Sequence, residues 1–228
     1  MEVYLRLYDS WVSESPLRAD AERNRVRILA TARRVFAERG LEASLEDIAG
    51  QAGVGVGTLY RRFPSRADLI GAAFQEKMAA YADAVDVALA DDDPWHGFCG
   101  YVEAVCGLQA ADHGFADLLT LTAPGAGSLK SERDRAHAGF VELIDRAKVV
   151  GGLRADFVPE DLVMLLMANA GVLSATREAA PDTWKRFVAY MIQAFSADRS
   201  RPLPAAPTAR RMYSAMLRVS PPRGRHQS

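Results

Sequence analysis

Apolar positions recur along this chain with the period of an α-helix, and no segment alternates convincingly as a strand would. From Ala21 to Arg39, residues Ile28, Leu29, Ala32, Val35 and Phe36 form one helical stripe, and Gly40 supplies the stop. Ser44-Leu45-Glu46-Asp47 reads as a capping box opening a short helix that ends near Ala52. Gly53 then gives a tight turn. A second short helix is predicted from Val56 to Phe63, with Gly55 as its N-cap and Pro64 as its stop. Ser65-Arg66-Ala67-Asp68 is another capping box. It opens a long helix to Leu89 with Leu69, Ile70, Ala73, Phe74, Met78, Tyr81 and Val85 on its apolar side.

Asp93 and Pro94 fit the N-cap and first position of the next helix, which runs to Ala111. Further helices are predicted over 114–122, 128–150, 159–179 and 182–197, with a flexible loop at 123–127. The last two are unusually apolar, with Leu162, Leu165, Leu166, Val172 and Leu173 followed by Trp184, Phe187, Val188, Met191, Ile192 and Phe195. The pattern predicts an all-α fold of about nine helices. It divides into a disordered arm (1–20), a helix-turn-helix domain (21–64), a helical regulatory and dimerisation domain (65–198) and a disordered tail rich in Pro and Arg (199–228).

The function-bearing signal lies at Ala49, Gly53 and Leu59. A helix-turn-helix needs a small residue where its helices cross and a Gly at the turn. It also needs an apolar anchor on the second helix, which frees that helix to enter the major groove. Around Leu59 the second helix carries Val56, Gly57, Thr58, Tyr60, Arg61 and Arg62. Thr suits a thymine methyl or a phosphate, Tyr a phosphate, and Arg either guanine or phosphate. Ser44 and Arg66 stand at helix starts, where free amides also favour a phosphate. Taken singly, Ser44 is explained by capping and the arginines by a solvated face. On one helix of this motif, DNA contact is the better account.

Composition supports this unevenly. The net charge of −1 hides a segment from Arg18 to Lys77 with eleven Lys/Arg against eight acids. Residues 78–198 carry nine against eighteen, and residues 199–228 carry seven Arg and no acid. A basic block beside an acidic body points to a polyanion partner. No apolar run approaches the roughly 18 residues of a membrane helix. The first fifteen residues do not read as a signal peptide, and two cysteines make no disulfide framework. The expectation is a cytoplasmic protein without a membrane partner.

These residues resemble a known family. Ser44 to Ala49, then Ala52 to Leu69 with its Gly57-Thr58-Leu59-Tyr60-Arg61-Arg62-Phe63-Pro64 string, are similar to the amino-terminal domain of TetR-family regulators over about Arg23 to Ala73. The resemblance implies a three-helix DNA-binding head and a helical body. It implies homodimers on palindromic operators, usually repressors released by a small-molecule effector. Gly55, Arg62 and Arg66 depart from the commoner Ser, aromatic and Lys. Gly152 to Asp156 and Pro159 to Leu162 resemble the SbtR-like regulatory domain more loosely. In the family the last two helices of the body form the dimer interface, a role that the apolar helices from Pro159 to Ala197 suit, with core burial within one subunit as the alternative.

Candidates for an effector pocket are Phe74, Met78, Tyr81, Trp95, Phe98, Tyr101, Phe115 and Met167, each of which also suits plain core. Cys99, Cys106 and His113 recur every seven residues. That spacing rises about 10.5 Å on a helix, too far for one zinc ion or a disulfide. No metal, cofactor or catalytic set is expected, which leaves an enzyme the weaker alternative. A binding module for a protein partner is another.

Overall fold

The computed structural model describes residues 16–120, 129–199, 201 and 203–218, and these contain ten α-helices. They are α1 (Pro16–Arg39), α2 (Leu45–Gln51), α3 (Val56–Arg62), α4 (Arg66–Leu89), α5 (Pro94–Ala111), α6 (His113–Thr120), α7 (Lys130–Val149), α8 (Pro159–Thr176), α9 (Thr183–Phe195) and α10 (Ala209–Arg218). No strand occurs among the described residues, only an isolated bridge between Leu153 and Ser196. No described helix is long and apolar enough to cross a membrane.

Local signals place most boundaries. Ser65 and Asp68 form the full reciprocal box at the start of α4. Asp93 caps α5 by accepting from the amides of Trp95 and His96. The box expected at Ser44 is only half made. Its hydroxyl accepts from the Asp47 amide, but Asp47 turns to Arg39 at 3.2 Å instead of reaching back.

Two expectations at the chain ends need correction. The first helix begins at Pro16, so residues 16–20 are not an unstructured arm; Pro is well suited to a first helical position, where its missing N–H costs nothing. The tail, expected to be disordered, contains α10. Ala209, Met212, Tyr213 and Met216 fall at i, i+3, i+4 and i+7, a short helical stripe that the surrounding Pro and Arg obscured. Residues 1–15 and the loop expected at 123–127 lie outside the described residues.

Two apolar cores share one spine. The first gathers Ile28, Phe36, Ile48, Leu59, Leu69, Phe74 and Met78 with Phe115 and Leu118 of α6. The second gathers Val85, Phe98, Tyr101, Phe140, Phe157, Leu166 and Phe195. Phe157 meets Phe98 and Phe195 edge-on at 5.3 and 4.9 Å between ring centres, the arrangement that ring quadrupoles favour. Helix α4 contributes to both cores, so the amino-terminal head and the body are joined by one continuous rod.

Helix α6 fastens the same joint from the other side. Asp117 accepts from the Leu41 amide at 3.3 Å, and Asp112 pairs with Lys77 of α4. Below the body, buried Arg154 grips Asp156, the Ala194 carbonyl and, at 2.7 Å, the Arg201 carbonyl.

Candidate nucleic-acid interface

The turn between α2 and α3 follows from three residues. Ala49 is fully buried where the helices cross. Gly53 adopts φ +64°, a left-handed conformation that costs a residue with a side chain, and its amide donates to the Gly50 carbonyl. The Val54 amide donates to the Ala49 carbonyl at 3.0 Å, closing the turn. Leu59 is fully buried and anchors α3 to the first core.

With Leu59 inward, the rest of α3 faces out. Val56, Gly57, Tyr60, Arg61 and Arg62 are exposed and Thr58 is half-buried. The Arg61 guanidinium donates to the Thr58 hydroxyl at 3.2 Å, and Arg62 lies 3.5 Å from Glu22 of α1. Such exposed contacts are weak and exchange readily for phosphate. Sequence reasoning did not single out the α1 side of this surface. Asn24 and Arg25 line one groove of about 350 Å³ with Thr58, Arg61 and Arg62. The signal was the run of arginines in α1, but several have other work. Arg33 donates to the Ala73 carbonyl at 2.8 Å and Arg34 to Gln51 at 2.6 Å.

Ser44 and Arg66 sit differently from the α3 set. Ser44 caps α2 and donates to Glu46 at 2.8 Å, which holds the Glu46 carboxyl below its usual range. Arg66 is half-buried, and its Nη1 donates to the carbonyls of Leu41 and Ala43 at 2.8 and 2.6 Å. It therefore splints the loop before α2, with its remaining donors available.

The eight pocket candidates are not brought together. Phe74, Met78 and Phe115 are fully buried in the first core, and Phe98 and Tyr101 in the second. Trp95 is half-buried and stacks on Phe98 at 5.6 Å, while Met167 is half-buried on α8. Tyr81 borders a cavity beneath α10 that the other seven do not line.

Cys99 and Cys106 are free thiols, and burial pushes both up to about 12, which disfavours the reactive thiolate. Among the described residues no cluster of three His, Cys, Asp or Glu is placed to hold a metal ion. His96 lies 2.6 Å from Asp91. That hydrogen bond, helped by the carboxylate charge, raises the imidazole above its ordinary value. The stabilisation is full below the ordinary imidazole value while Asp91 stays ionised, and is lost as pH rises through the folded-state value. In an NMR titration His96 is expected to deprotonate above pH 6.5, and to return toward that value in Asp91→Asn. An unchanged midpoint in the variant would contradict the pairing.

Comparison with known proteins adds an independent line. A family model described as bacterial regulatory proteins, tetR family, matches residues 28–73. An HTH-type transcriptional regulator of Staphylococcus aureus is 46% identical over 54 residues, which is 23% of this chain and 29% of that regulator's length. A TetR transcriptional regulator of Streptomyces coelicolor is 34% identical, with 75% of this chain and 98% of that one covered, at a TM-score of 0.49. The FadR regulator of Bacillus subtilis, solved with stearoyl-CoA, is 18% identical over 73% of this chain and 96% of its own, at a TM-score of 0.50. At that identity the likeness is one of fold.

Proposed function

The chain belongs to the tetR family of bacterial regulatory proteins, and on that premise we propose that it is a ligand-responsive transcriptional repressor binding a palindromic operator as a homodimer in the cytoplasm. Residues 21–64 bind double-stranded DNA, and residues 65–198 dimerise and sense a small molecule. The observation that carries this reading is α3, held by buried Leu59 and presenting Thr58, Tyr60, Arg61 and Arg62 outward beside Asn24 and Arg25. Val56, Gly57, Ser44 and Arg66 complete the proposed surface.

The dimer is supported by the outward face of α8. Met164, Ala168, Gly171 and Ala175 are exposed at spacings of four, three and four, a narrow stripe that lets a second helix approach closely. Exposed Tyr190 extends the apolar surface onto α9. Two copies of α3 would then need to stand about 34–36 Å apart, or a multiple, to enter successive major grooves. A ligand that prefers the other spacing lowers operator affinity by no more than its own preference between the two states.

The operator can be recovered by selecting fragments that the protein binds in genomic DNA of its own source. On that operator, Arg61→Ala and Arg62→Ala are each expected to weaken binding. A base contact would cost about 1–3 kcal/mol and relax one position, whereas a phosphate contact would lower the salt slope by about one unit. Full affinity in both variants would overturn the assignment of α3.

A further inference from the structure

A cavity of about 270 Å³ lies beneath α10, bounded by α4, α7 and α8. Tyr81 and Phe140 stand on one side, Leu162 and Leu166 on another, and Met212 and Tyr213 form the outer wall. The volume equals that of about nine waters, enough for a molecule of one to three rings. Its lining contains no Lys or Arg. The one carboxylate is Glu160, which lies in the first turn of α8, where the helix dipole already balances its charge. Exposed His137 stands at the rim. An anion would meet no cation in the wall, since the nearby Arg133 is turned to the Leu118 carbonyl at 2.9 Å, and burying an unpaired charge is costly. The chemistry favours a neutral guest.

Besides Glu160, His137 and Tyr213, the lining carries the phenol of Tyr81. The Tyr81 ring lies 6.2 Å from that of Tyr101, which in turn lies 5.1 Å from Phe140. Tyr101 is 1% exposed, and its hydroxyl has no hydrogen-bond partner of good geometry. Its polar neighbour is the Tyr81 hydroxyl, so the two phenols make one weakly satisfied polar spot beside the cavity. A guest bearing one hydroxyl, amine or carbonyl at its inner end would answer the Tyr81–Tyr101 pair.

The roof belongs to the carboxy-terminal segment. All four stripe residues of α10 border the cavity, and Met212 is itself buried, whereas Arg210 and Arg211 face away and are exposed. Flexible thioethers at Met212 and Met216 adapt to guests of different shape.

We propose that this cavity is the effector site and that it takes a neutral, largely apolar ring compound with a single hydrogen-bonding group, enclosed by α10. The proposal rests on the ligand-responsive reading above. The probe is N-phenyl-1-naphthylamine, a neutral aromatic amine that brightens in apolar surroundings. Its comparison is 8-anilino-1-naphthalenesulfonate, which has the same rings and a negative charge. The full chain is expected to bind the neutral dye at least tenfold more tightly. Val163→Trp fills the cavity from half-buried α8, and Met212→Asp places a charge in the roof. Each is expected to weaken neutral-dye binding at least tenfold while operator binding without dye stays intact. Equal binding of the two dyes, no binding of the neutral one, or indifference to both substitutions would overturn the proposal. Operator affinity measured with saturating neutral dye separates the two readings. If the dye binds as expected but leaves that affinity unchanged, the cavity assignment holds as a neutral-ligand site and its effector role fails. Failure to bind any genomic fragment overturns the DNA reading alone.

Discussion

Leu59→Ala is expected to destabilise the protein by about 2–5 kcal/mol and to abolish operator binding at temperatures where the variant is still folded. Leu59 is fully buried in a seven-residue helix, too short to hold its shape without tertiary packing. Removing the side chain leaves a cavity beneath α3, and the helix loses the contact that fixes its orientation toward DNA. Thermal unfolding should show a midpoint lower by about 4–20 °C for a chain of this size. Leu59→Met keeps the volume, should cost less than about 1.5 kcal/mol, and should retain operator binding. Normal stability and DNA affinity in the alanine variant would mean that α3 is held by something else.

The second large effect is expected at Gly114, in the joint between head and body. A methyl group there would stand 2.8 Å from the Phe36 carbonyl oxygen, 2.9 Å from its carbon and 2.9 Å from the Phe74 ring. The backbone of α1 cannot give way without moving the whole helix, so Gly114→Ala must push α6 off α1. The expected loss is about 1–3 kcal/mol. Faster hydrogen exchange should be concentrated at the Gly40–Leu41 turn that Asp117 clasps. Gly100→Ala is the control, since nothing lies within 4 Å of the added carbon on α5. Helix interiors prefer Ala to Gly, so that variant should be slightly stabilised, by about 0.5–1 kcal/mol. Unchanged exchange at Gly40 and Leu41 in the Gly114 variant would show that α6 does not secure the joint.

Much of this architecture was legible because its causes are local. The Ser65 box, the Asp93 cap and the Gly53 turn each depend on residues within a few positions of one another, and the Leu59 anchor shows in its spacing from Ala49 and Gly53. What escaped depends on distant partners. Nothing adjacent to Arg66 reveals that it holds the Leu41 and Ala43 carbonyls, and nothing near Gly114 announces the backbone of Phe36. Asn24 and Arg25 join the α3 surface only because α1 passes beside it. The pocket candidates were chosen as large apolar side chains on helices, a property that core residues share, and so Phe74, Phe98 and Phe115 were grouped with Tyr81 although they pack in the cores. The α10 stripe was masked by composition: a segment with seven arginines looks unfoldable until the four residues of its stripe are placed against the body.

The grip of Arg154 on the Arg201 carbonyl bears on how α10 would behave if it left the body. Seven residues, 202–208, separate that fixed point from Ala209. With prolines at 202, 204 and 207 this leash is a semi-rigid spacer spanning about 3.1 Å per residue, roughly 22 Å in all, and short tethers hold their cargo at effective concentrations on the order of millimolar. A detached α10 thus returns to its seat over a guest at a local abundance no free peptide would match. Occupancy should accordingly depend on leash length as well as on contacts, and inserting residues between Arg201 and Ala209 should loosen the hold on a guest without altering a single wall of the cavity.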